Sequence, residues 1–143
     1  MADQPGERPS QALARKLGLK AGTRVAIVDA PGPPDPVAAV LDELPGVDTD
    51  LGGGGLDVVL LFVTGRDRLL ARFAELAAAL QPAGGLWIAW PKRSAKVPTD
   101  LDFATVQQVG LDAGLVDNKS CAVSEIWSGL RFVVRLADRP ARS

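Results

Sequence analysis

Apolar and polar residues follow two periods along this chain. In QALARKLGL, Leu13 and Leu17 stand four apart on one helical face. Ser10 fits the cap of that helix, and Gly18 and Gly22 end it. TRVAIVDA then reads as a buried strand stopping at Asp29. PGPPDP admits neither helix nor sheet. Asp35 fits an N-cap with Pro36 at the first helical position, opening VAAVLDEL, which Pro45 and Gly46 close. Residues 47–51 are either a minimal edge strand or no strand. The glycines 52–55 lead into LDVVLLFV, the most apolar run. Thr64, with Asp67 three residues on, forms a capping-box variant. It opens RDRLLARFAELAAALQ, whose Leu69, Phe73, Leu76 and Leu80 make an amphipathic stripe. Pro82 and Gly84-Gly85 break that helix, and LWIAW is another strand. Thr99 caps LDFATVQQVGLDAG. LVDNKSCAV and LRFVVRL read as strands joined across SEIWSG.

Strands alternating with helices predict an α/β fold with a mainly parallel sheet and helices on both faces, a three-layer Rossmann-like sandwich. The last two strands, near 115–123 and 130–136, have no helix between them. They are therefore expected as an antiparallel hairpin at one edge. Residues 1–9 and 137–143 read as tails around a single domain, 10–136.

Composition narrows the function. A chain of 143 residues, 47% hydrophobic and 23% charged, suits one globular domain. Sixteen cations against seventeen anions disfavour bulk nucleic-acid binding. With no histidine and one cysteine, a His/Cys zinc site, an internal disulfide and a Ser–His or Cys–His pair are excluded. No apolar run approaches a membrane span and MADQPGERPSQ has no signal-peptide character, so no membrane contact and a cytoplasmic location are expected.

KLGLKAGTRVAIVDA, LDVVLLFV, LQPAGGLWIAW, LDAGLVD and the closing hairpin resemble, in that order, the class I methyltransferases. The resemblance implies a Rossmann-like sheet with a final antiparallel strand and S-adenosylmethionine as the family's cofactor. Asp29 matches the acidic end of the family's first strand. The Gly-x-Gly loop expected next is replaced by APGPP, with Gly32 alone between prolines. The middle of the family's sheet is cut to the glycine run, so the fold reads as truncated. The resemblance is therefore carried for the fold. Pro31, Pro33 and Pro34 stiffen the loop that would wrap the cofactor, no cofactor is assigned, and S-adenosylmethionine is not expected in the usual mode. Residues 13–136 also resemble a bacterial family known only as a domain of unknown function, through WPKRS at 90–94 and CAVSEIWSGLRF at 121–132.

In open α/β sheets, ligands sit outside the carboxyl ends of the strands. Asp29, Thr64 and Trp90 are expected there, overhung by the loop holding Lys92, Arg93, Ser94 and Lys96. Helix N-termini near Thr64 and Thr99 add positive potential, so the loop reads as an anion-binding rim. The plain alternative is a solvated loop offsetting Asp100 and Asp102. Trp87 and Trp90, three apart on a strand, face opposite sides, and core filling is the simpler role for them. Asp29 and Glu125 are the carboxylates placed for chemistry, with a turn-capping role favoured for Asp29. Trp127, in a turn before Ser128-Gly129, suggests an exposed interaction surface made with Ser128, or a ring folded over Cys121. Cys121 reads as a buried, unreactive thiol.

These readings lean away from an enzyme, toward a binding or regulatory module with a small anionic ligand. A protein partner or a second copy of the chain is the other partner considered. The alternatives are an atypical S-adenosylmethionine-dependent methyltransferase and a purely structural or interaction domain.

Overall fold

The computed structural model describes residues 8–20, 22–44 and 54–135. The chain runs α1 (Pro9–Leu17), β1 (Val25–Val28), α2 (Val37–Asp42), β2 (Leu56–Phe62), α3 (Arg66–Ala78), β3 (Leu80–Pro91), a 3-10 turn (Arg93–Ala95), α4 (Phe103–Asp112), β4 (Leu115–Ala122) and β5 (Trp127–Val134). The five strands form one sheet in the order β1-β2-β3-β5-β4. β1, β2 and β3 are parallel. β5 runs antiparallel to β3 and pairs with β4 as the expected hairpin. The α/β architecture and the closing hairpin thus follow the apolar pattern. The 47–51 segment and most of both expected tails lie outside the described residues.

Alternation along the strands sorts side chains into two cores. Val25, Val58, Leu60, Phe62, Trp87 and Ala89 face α1 and α2, meeting Leu13, Leu17, Val37 and Leu41. Ala26, Val59, Leu61, Leu86, Ile88 and Trp90 face α3 and α4, meeting Leu69, Phe73, Leu76, Val106 and Val109. Trp87 and Trp90 do take opposite faces. The Trp87 indole Nε1 donates to Leu17 O at 3.3 Å, closing an open carbonyl at the end of α1.

Several element ends differ from the expected ones. Ser10 is buried inside α1, which begins at Pro9. Its first turn is instead closed by Arg8 N–H donating to Gln11 Oε1. Thr64 does not cap α3; Gly65 occupies that position without a side-chain bond. Thr99 does not cap α4 either, because the cap is Asp102. Asp35 is not the cap of α2 either, because Pro36 takes that position and the helix starts at Val37; the Asp35 carboxylate still accepts from Val37 N–H at 2.9 Å.

β3 also starts earlier than LWIAW, at Leu80, and runs through Pro82 and the Gly84-Gly85 pair. Its pairing with β2 slips between Leu56 and Val58, which absorbs the irregular residues as a bulge. Gly84 is needed there, and Gly85 lets the Arg131 side chain lie close against the strand. A β-carbon on Gly84 would meet the carbonyl of Leu56, and one on Gly85 would overlap the Arg131 guanidinium.

Candidate functional site

The carboxyl edge of the parallel strands carries a cleft of about 860 Å³. Strand pairing builds its floor. Trp90 pairs with Ser128 and Ala89 with Gly129, while Cys121 and Ala122 flank them on β4. The loop after β3 and the first turn of α4 form the walls. Trp90 is only 5% exposed, and its ring meets Phe103 edge-on at 6.4 Å. Phe103 is 46% exposed, so a flat aromatic edge faces solvent at the rim.

Both signs of charge line the cleft: Lys92 and Arg93 on one part, Asp100 and Asp102 on another. The acids answer the two helix ends. Asp100 Oδ1 accepts from Arg66 N–H, the first residue of α3, at 2.8 Å. Asp102 Oδ1 accepts from Thr105 N–H at 2.8 Å. That bond, more than Arg93 nearby, holds the Asp102 carboxyl below its ordinary value. The helix N-termini therefore face the chain's own carboxylates, not an open anion site as the sequence suggested. Burial pushes the Cys121 thiol up, partly opposed by Lys16 and Lys119, so it stays protonated at neutral pH.

The expected site residues divide. Trp90, Lys92 and Arg93 line the cleft, joined by Ser128. Ser94 and Lys96 are exposed and do not line it; Lys96 closes the 3-10 turn in a left-handed conformation, φ 57°. Thr64 contributes its carbonyl, which accepts from the Thr99 hydroxyl at 2.6 Å and ties the loop to the end of β2. Asp29 stands apart at the end of β1. Its carboxylate pairs with Arg68 at 3.0 Å, in place of the turn bond favoured from sequence. Trp127 is corrected outright. It opens β5, is 6% exposed, stacks edge-on against Phe62 at 5.0 Å and donates Nε1–H to Asp35 Oδ2 at 2.8 Å. It is a core side chain with its polar atom satisfied, not an interaction surface. Sequence reasoning passed over Phe103 as part of an apolar helix. It stands three before Val106 and seven before Gly110, in register with the buried stripe, so its sequence position reads as core and gives no signal of exposure.

No family model matches the sequence, and no curated protein matches it. Solved structures share the fold. A SAM-dependent methyltransferase from Aquifex aeolicus superposes with a TM-score of 0.61 at 16% identity, covering 91% of this chain and 93% of that one. A TehB-like SAM-dependent methyltransferase from Corynebacterium glutamicum gives 0.53 at 11% identity, covering 91% and 90%. Against the magnesium protoporphyrin IX methyltransferase from Synechocystis, the TM-score is 0.48 at 18% identity, covering 64% of this chain and 46% of that one; this chain thus spans about half the length of that protein. The fold is methyltransferase-like. The leaning toward a non-enzymatic module is overturned here. It rested on the lost glycine loop, the truncated middle and the absent histidine, yet solved structures of SAM-dependent methyltransferases share this fold, and the one from Aquifex is covered almost end to end by a chain of this size.

Proposed function

We propose that this chain is an atypical S-adenosylmethionine-dependent methyltransferase, with the cofactor's polar end near Asp29 and the methyl acceptor in the cleft beside Trp90. The observation that carries the reading is the strand order β1-β2-β3-β5-β4, which brings the Asp29 turn and the cleft to one edge of the sheet.

The residues after β1 fit a ligand that meets a carboxylate and an open turn. Asp29 has φ 56°, so the chain bends sharply there. Its side chain is 37% exposed, and only Oδ2 is held by Arg68. Gly32 is exposed with open space over it. Pro31, Pro33 and Pro34 offer no N–H, and Asp35 N–H is already given to Gly32 O. The free donors of this turn are thus Ala30 and Gly32. That is why the binding mode is atypical: Asp29 accepts from ammonium or ribose hydroxyl groups, with little help from a glycine cradle. When bound, S-adenosylmethionine supplies an electrophilic methyl group on a sulfonium. Asp102, charged at neutral pH, and Lys92 and Arg93 orient a polar acceptor against Trp90 and Phe103. The distinctive WPKRS and CAVSEIWSGLRF segments support placing the chain in the bacterial domain family of unknown function, and the composition supports a cytoplasmic location. Among the described residues no helix is long and apolar enough to cross a membrane.

Calorimetry with S-adenosylhomocysteine tests the reading. The expected result is micromolar binding that Asp29→Ala weakens at least tenfold. No heat and no thermal shift at millimolar ligand would overturn it.

A further inference from the structure

We propose that the α1 side of the β4–β5 hairpin holds a second ligand site, one for a small phosphate group, free or carried as a monoester. It is separate from the cleft and independent of the methyltransferase reading.

The site is a depression of about 530 Å³ between the end of α1 and the open face of β3, β5 and β4. Strand register makes its floor. Trp87, Arg131 and Lys119 are consecutive partners across β3, β5 and β4, so they share one face. That face is the one turned to α1, because Trp87 packs with Leu13 and Leu17. Trp90, which opens onto the cleft, belongs to the other face. A ligand in the depression therefore does not meet the aromatic wall of the cleft.

Four cations line the depression, Lys16, Lys20, Lys119 and Arg131, against one carboxylate, Asp57. With Asp57 counted at full charge, the lining stays strongly positive, although the whole chain carries a net charge of -1. Lys16, Lys20 and Lys119 form no ion pair among the described residues. Lys16 crosses from α1 to donate to Ala122 O at 3.3 Å. Lys16 and Lys119 both act on the Cys121 thiol, opposing the effect of burial, so the two amines stand over the same stretch of β4.

Arg131 supplies geometry as well as charge. Its guanidinium lies in the space that a β-carbon on Gly85 would fill. Its Nη1 donates to Asn118 Oδ1 at 3.3 Å, which steadies the group and leaves the Asn118 N–H2 as a further donor. A guanidinium presents a planar fork of N–H groups that matches two oxygens of one phosphate, whereas ammonium groups act as point charges. A phosphate monoester brings about two negative charges and three acceptor oxygens, which suits a fork ringed by lysines. The last carbonyls of α1 are closed within the fold, Leu17 O by the Trp87 indole and Ala14 O and Arg15 O by Gly18 N–H.

Isothermal calorimetry on the full chain without cofactor tests the site, with inorganic phosphate, ribose 5-phosphate and succinate at constant ionic strength. Both phosphates should bind with a dissociation constant of about 1 mM or tighter, and succinate about tenfold more weakly. Lys20→Gln and Lys119→Gln, both at exposed positions, should each weaken phosphate about threefold. Arg131→Lys keeps the charge and removes the fork, and should weaken phosphate about tenfold while melting curves show the variant folded. Tighter binding of the ester assigns the sugar to the ligand, and equal binding assigns the phosphate group alone; either result supports the site. No binding of either phosphate, an unchanged affinity in the double variant Lys20→Gln with Lys119→Gln, or equal heats from potassium chloride at matched ionic strength would overturn it. Succinate binding as tightly as phosphate would overturn the phosphate assignment. Phosphate binding as described with no binding of S-adenosylhomocysteine would overturn the methyltransferase reading and leave this site standing.

Discussion

Asp35 holds two donors at once, the Val37 N–H at the start of α2 and the Trp127 indole at the start of β5. One carboxylate thereby fixes the proline-rich segment against the closing hairpin. Trp127→Phe keeps the ring contact with Phe62 and removes one donor. Urea unfolding should show a loss of about 1–2 kcal/mol, because a part-buried oxygen is left unmatched. Gly110 presents a sharper case. A β-carbon there would overlap the Phe132 ring. Alanine is worth about 1 kcal/mol over glycine in a helix. Pushing α4 off the sheet costs about 1–3 kcal/mol, so Gly110→Ala should destabilise despite the better propensity. Cys121 gives a chemical readout at the same scale. Its thiol is held above the ordinary 9.0 by burial, so alkylation by iodoacetamide at pH 8 should lag a free cysteine and accelerate only at higher pH.

Among the elements, α3 and α4 share a single capping loop. Asp100 closes the first turn of α3 from a distance, while Asp102, two residues on, closes its own helix. Asp100→Ala should cost about 1 kcal/mol in urea melts, an ordinary loss for a missing cap. The Asp102 cap has a pH signature. Its carboxyl is held below the ordinary 3.8, so the unfolded chain binds a proton at higher pH than the folded one. The stabilisation is present above the unfolded value and is lost as pH falls through the lowered folded value. Asp102→Ala should therefore differ from the parent at pH 7 and converge with it below pH 3.8, as followed by melting curves across that range.

At the scale of the whole molecule, one sheet serves two cores. Leu60 and Leu61 are adjacent and both fully buried, yet Leu60 packs toward α1 and α2 while Leu61 packs toward α3 and α4. Leu60→Ala and Leu61→Ala should each cost about 2–5 kcal/mol. If the layers unfold together, both variants shift the urea midpoint and keep the parent's slope. A changed slope in one variant alone would show a layer that melts by itself. The same two-faced sheet explains why Trp90, on the α3 and α4 side, opens onto the cleft while Trp87, on the α1 and α2 side, does not.

The apolar periods by themselves determined most of the fold. Runs such as LDVVLLFV can be satisfied only by burial on both faces, and the helixless gap before LRFVVRL forces a hairpin. They also located the carboxyl edge and picked out Trp90, Lys92 and Arg93, because strand ends are marked where apolar runs stop. What they could not decide were the partners of single polar atoms. Asp100 on α3, Arg68 on Asp29 and Asp35 on Trp127 are contacts across 34, 39 and 92 residues. No local period records a bond between segments so far apart, so Thr64 and Thr99 looked like caps and Trp127 looked exposed. The gathering of Lys16, Lys20 and Lys119 on one face is of the same kind. Spread through α1, the loop after it and an edge strand, they become neighbours only because the hairpin folds back beside α1 and no helix covers it.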